Sequence, residues 1–173
     1  MKIKRPVILF ISFVAVVLLS ITMIFISKKL FIPQKTHYHA GFVVFKNDKK
    51  INFSDVKYMF LEPCTLNKNN DNSPTDIQIE KAHLHDNVGD VVHIERTGAK
   101  WQDLFTNIHF LINYSKTTGY INGEKVANYQ LQPIKPDDIL VVFIGKEDQK
   151  LIRQAVTKDY IEKMAKKSTT CGD

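Results

Sequence analysis

From Val7 to Ser27 the chain runs through 21 residues with neither charge nor proline, VILFISFVAVVLLSITMIFIS. At about 1.5 Å per residue, a helix of that length covers the roughly 30 Å hydrocarbon core of a bilayer, so the run predicts a membrane span. It exceeds the roughly 7 to 15 apolar residues of a signal peptide, and no small-x-small cleavage site follows, which favours an uncleaved anchor. Pro33 discourages helical continuation, and beyond it the apolar period changes. HAGFVVF alternates as a strand does and runs into KNDKKINFS, where Asn47 and Asp48 suit the positive-φ positions of a hairpin turn.

The polar stretch at residues 66–76, LNKNNDNSPTD, reads as an exposed loop. KAHLHDNVGDVVHIE reads as two short strands around a turn at Asp86 to Asp90, with Gly89 available for a left-handed conformation. In WQDLFTNIHFLI, the residues Trp101, Leu104, Phe105, Ile108, Leu111 and Ile112 fall on one face of an amphipathic helix. Asn122-Gly123 signals a further hairpin, and IKPDDILVVFIGK a turn leading into a buried strand. A last helix is expected over residues 147–167, with Leu151, Ile152, Ala155, Val156, Tyr160 and Met164 along one side, covering the sheet or lying on a membrane.

The pattern therefore predicts an α+β protein: an N-terminal transmembrane helix, a β-rich domain of hairpin, hairpin, helix, hairpin and strand, and a C-terminal amphipathic helix. Its expected segments are an anchor with basic flanks (1–29), a tether (30–36), the domain (37–146), the C-terminal helix (147–167) and a mobile tail (168–173).

Charge alters this picture little. The net charge is +6, but the first 29 residues hold five basic and no acidic side chains, leaving 19 basic against 18 acidic in the remainder. A nearly neutral domain lacks the concentrated basic face that nucleic acid requires. The partners expected are a lipid bilayer through residues 7–27 and, as an alternative role, another protein of the cell envelope. Basic residues flank the span on both sides, Lys2, Lys4 and Arg5 before it and Lys28 and Lys29 after it. Short positive N-terminal tails generally stay in the cytoplasm, which places the domain outside it. Cys64 and Cys171 could pair in an oxidising compartment but define no disulfide framework.

The segments YINGEKV and PDDILVVF, following strand pairs and a helix, resemble over residues 90–145 the β-grasp arrangement of ubiquitin-like folds, which implies a β-grasp-like mixed sheet packed on one helix. In its sulfur-carrier branch the chain ends in Gly-Gly after the last strand, whereas here Ile144-Gly145-Lys146 leads into a helix, so that resemblance implies no carrier function. The whole layout, HYHAGFVVF, AHLHDNVGDVVHIE, a Trp-containing helix and a late YINGEKV, also resembles single-pass membrane proteins of candidate-phyla bacteria with paired H-x-H motifs. That resemblance implies an anchor and the histidine motifs, and no reaction.

Four of the six histidines form two H-x-H pairs, His37 with His39 and His83 with His85. Residues i and i+2 of a strand project from one side, about 6.5 to 7 Å apart, so each pair can aim two imidazoles at one point. Neutral imidazole is a common ligand of zinc and copper. The expected ligands are His37, His39, His83 and His85. His93 joins them if the hairpin register puts it opposite His83, because a one-residue slip would send it to the other face. Asp86 is a further candidate, as a carboxylate ligand or a group bonded to local backbone, and Glu95 could orient the His93 ring. The competing reading is that the imidazoles are structural and hydrogen-bond across strands.

His109 and Trp101 are expected to be structural members of the helix, and Cys64 a loop cysteine. There is no phosphate loop, dinucleotide fingerprint, nucleophile elbow or H-E-x-x-H sequence, and no carboxylate pair suggests acid–base catalysis, so no catalytic residue is assigned. The expected function is capture or sensing of zinc or copper, or stabilisation by it, in a membrane-anchored extracytoplasmic domain. The alternative is a non-enzymatic interaction module. A metal-dependent enzyme would require an open coordination position.

Overall fold

The computed structural model describes residues 13–23, 33–61 and 73–166. The chain divides into two compact units, Met1–Pro33 and Gln34–Asp173. In the first, residues 13–23 are helical (α1). Among the described residues no helix is long and apolar enough to cross a membrane. The rest of the expected span, residues 7–12 and 24–27, lies outside the described residues, as do Cys64, Cys171 and the tail at 168–173.

The second unit is α+β, built on a curled, mixed, six-stranded sheet. Its strands are β1 (Lys35–Lys46), β2 (Lys49–Lys50), β3 (Val91–Arg96), β4 (Thr117–Ile121), β5 (Glu124–Val126) and β6 (Ile139–Ile144). Its helices are α2 (Pro74–Lys81), α3 (Trp101–Asn107), α4 (Gln149–Ile152) and α5 (Lys158–Ala165). The strand order is β2-β1-β6-β4-β5, with β1 and β6 parallel, and β3 pairs antiparallel with β1. The parallel pair is the apolar centre, because FVVF and ILVVFI bury side chains on both faces.

Alternation along β1 sorts the two faces. Ala40, Phe42 and Val44 join Val92, Ile94, Leu140 and Val142 under α3, where Trp101, Leu104, Phe105 and Ile108 complete the main core. Val43 and Phe45 point the other way, with Tyr120, Val141 and Phe143, and are covered by Leu151, Ile152, Ala155 and Val156. The C-terminal residues thus pack on the sheet. They do so as two short helices instead of one, because Asp148 caps α4 by accepting from the Lys150 amide and Thr157 starts α5 anew by accepting from the Tyr160 amide.

Both expected turn pairs adopt left-handed φ: 50° and 62° at Asn47 and Asp48, 53° and 85° at Asn122 and Gly123. These conformations close the β1–β2 and β4–β5 hairpins. At the third turn the expected residue is corrected. Asp86 and Asn87 take the left-handed conformations, while Gly89 is needed for close approach, since a Cβ there would overlap the Phe53 carbonyl carbon and the Ser54 amide nitrogen. The helix expected to reach Ile112 ends at Asn107; His109 has φ 53°, and Leu111 is 99% exposed instead of facing the core. Residues 74–81, partly assigned to a loop from sequence, are helix α2, with Ser73 accepting from the Asp76 amide and Pro74 in the first turn.

Candidate metal centre

Every histidine of the two pairs, and His93, is odd-numbered on segments whose even-numbered neighbours fill the main core. Ala40 on β1, Val92 and Ile94 on β3, and Ala82 and Leu84 before the turn all point towards α3. Strand alternation therefore sends His37, His39 and His93 to the opposite face, and His83 and His85 follow from the single bridge to His93 that stands where a strand is expected from sequence. On that face α5 packs against β1 and β3, with Ile161 and Val156 against Gly41.

Register does the rest. His39 lies opposite His93 on β3, and His93 forms an antiparallel bridge with His83, each backbone amide donating to the other's carbonyl at 3.0 and 2.9 Å. This is the register that brings His93 to the two pairs. β3 lies between them, so the H-x-H segments are not direct neighbours and His93 stands at the centre. Ring centroids lie 4.5 Å from His93 for His37, 4.7 Å for His39, 5.1 Å for His83 and 4.5 Å for His85.

Among the described residues, potential ligand atoms within 4.8 Å of one another form two triads, His37-His39-His93 and His83-His85-His93. Each could hold a metal ion. The four histidines of the two pairs do not form one such group; His93 belongs to both.

Neighbouring groups set which ring nitrogens are available. His83 Nδ1 is 3.2 Å from the Ile79 carbonyl oxygen, and His85 Nδ1 is 2.7 Å from Asp86 Oδ2. Both oxygens accept only, so each Nδ1 carries the proton and each Nε2 presents a lone pair. Asp86 thus orients a ligand through its far nitrogen. His85 Nε2 faces His93 Nδ1 directly. His93 Nε2, the other nitrogen of that ring, is buried without a hydrogen-bond partner among the described residues, as is His39 Nε2. Glu95 Oε1 stands 3.8 Å from His93 Nε2, beyond hydrogen-bond reach.

Three of the rings are kept neutral. Burial, followed by the charge of neighbouring imidazoles, lowers His39 and His83 each to about 4 and His93 to about 2. Protonating any of them would put a cation in a low-dielectric site beside others of its kind. At neutral pH these rings therefore keep the lone pairs that a metal needs.

The polar support of this cluster was not anticipated from sequence. Asn107, at the end of α3, donates from Nδ2 to the carbonyls of Gln78 (2.9 Å), Ile79 (3.3 Å) and Ala82 (2.7 Å), clamping the end of α2 that leads into His83. Glu80, 8% exposed, pairs with buried Arg96 and with Lys35 at 2.6 Å, tying α2 to β3 and β1. The S-P-x-D sequence at 73–76 was the available signal for the helix that carries them. Trp101 is a fully buried core residue, and exposed His109 belongs to neither triad. Comparison with family models, curated proteins and solved structures returned no match.

Proposed function

We propose that this protein binds zinc or copper through the histidine cluster, as a membrane-anchored extracytoplasmic domain that captures or senses the ion or is stabilised by it. The observation that carries the reading is the convergence of five imidazoles on one sheet face, with the Nε2 atoms of His39 and His93 buried and without a hydrogen-bond partner among the described residues. An orphaned buried polar atom costs about 1 to 3 kcal/mol, and a cross-strand hydrogen-bonding role for the histidines would have satisfied it. The all-nitrogen donor set suits zinc and copper, and three ligands at a position leave a fourth for water or an exogenous ligand.

The anchor reading rests on the uncharged run at 7–27, and the extracytoplasmic placement on the basic residues before it. A β-grasp-like reading of the domain is supported by the central parallel β1–β6 pair, the flanking hairpins and α3 packed across one face. Purified in detergent micelles, freed of metal and then equilibrated with zinc or copper, the full chain is expected to retain at least one ion and to melt at higher temperature. No retained ion by elemental mass spectrometry, together with an unchanged melting temperature, would remove the proposal.

A further inference from the structure

The two triads share one residue, His93, which has two ring nitrogens. Its Nδ1 faces His85 Nε2, on the side of His83. Its Nε2 is buried and without a hydrogen-bond partner among the described residues, as is the Nε2 of His39 in the other triad. A single ring nitrogen bonds one ion, so both triads can be filled together only if His93 uses opposite nitrogens. We propose that His93 bridges two transition-metal ions, one held with His37 and His39 and the other with His83 and His85. This rests on the metal-binding reading above and extends it to a dinuclear centre.

The chemistry balances through one proton. Neutral imidazole carries a single N–H; when each nitrogen bonds an ion, that N–H bond breaks, its electron pair becomes the second metal–nitrogen bond, and the proton leaves to solvent. The resulting imidazolate contributes one negative charge between two dications. Carboxylates at the edge of the cluster offset more: Asp86 is bonded to His85, Glu95 lies 3.8 Å from His93, and Asp137 donates its backbone amide to the His39 carbonyl at 2.9 Å. With metal–nitrogen bonds of about 2.0 Å on either side of one five-membered ring, the ions would sit roughly 6 Å apart.

The positions differ in access. His37 is exposed, whereas His83 is 5% exposed and fixed by the Ile79 carbonyl. The ion held with His37 is therefore the one that exchanges first, and the ion held with His83 stays longer.

The test uses the full chain in detergent micelles, with Cys64→Ser and Cys171→Ser to remove thiol ligands and thiol reduction of copper. Titrated with copper(II) alone, it is expected to bind two ions per chain and to lose electron paramagnetic resonance intensity relative to its copper content, because spins couple across an imidazolate. Zinc in one position should restore the signal. Replacing exposed His37 by Ala is expected to halve the stoichiometry and give a signal that accounts for all bound copper, while His109→Ala keeps both ions. Saturation at one ion per chain, two ions with full signal intensity, or two ions retained by His37→Ala would overturn the bridge and leave the metal reading standing. No bound ion at all would remove both.

Discussion

His83 carries the clearest consequence at the scale of a single residue. An imidazole in the unfolded chain titrates near 6.5, whereas burial holds His83 in the native state to about 4. Between those values the unfolded chain takes up a proton that the native state refuses. Stability is therefore complete above the unfolded value and declines as pH falls towards the folded one, and His39 and His93 act in the same direction. Between pH 7 and pH 5, His83 alone should lower the unfolding free energy of the metal-free chain by about 2 kcal/mol. Urea midpoints at pH 7, 6 and 5 check this, and a midpoint that holds steady or rises on acidification contradicts it. Gly89 shows a different limit of reading single residues. Its placement in a turn is legible from DNVGD, but the reason only glycine fits is the backbone of Phe53 and Ser54, more than thirty residues earlier.

At the scale of elements, the hairpins were legible because their signals are local: Asn47-Asp48 and Asn122-Gly123 dictate their own backbone conformation. Helix α2 was obscured because PTDIQIEK, without a strong apolar stripe, follows a long polar run. The C-terminal helix was drawn too long because periodicity continues across residues 153–157, where the cap at Thr157 restarts the chain. The element with most bearing on the metal centre is the α2–α3 contact. Asn107→Ala removes three donations to carbonyls of the α2 end and is expected to cost about 1 to 3 kcal/mol in urea unfolding. Because those carbonyls lead into His83, zinc affinity of the His83-His85-His93 position should fall several-fold, while the position shared by His37 and His39 keeps its affinity. Calorimetric titration in a His37→Ala background and in a His85→Ala background separates the two, and equal losses at both positions would contradict the assignment.

Across the whole molecule, Glu80 ties α2 to β3 and β1 through Arg96 and Lys35. Glu80→Ala removes a charge-assisted hydrogen bond from a guanidinium that is 3% exposed, so a loss of about 1.5 to 3 kcal/mol is expected, read as a lowered urea midpoint; an unchanged midpoint would contradict the tie. Sequence alone determined the α+β class, the turns at Asn47-Asp48 and Asn122-Gly123, the buried strand at 139–144 and the identity of the five histidines, because each follows from local propensity or from a period of two. It also determined that each H-x-H pair shares a face, since alternation is a property of any strand. Only the tertiary structure decided that β3 lies between the two pairs, that His93 stands opposite both His39 and His83, and that Asn107 and Glu80 hold the segment carrying His83. Except for His83 and His93, which share the stretch KAHLHDNVGDVVHIE, those are contacts between residues far apart in the chain. Burial and strand register select them together, and no short stretch of sequence contains both partners of the others, nor fixes the register of the His83–His93 pair.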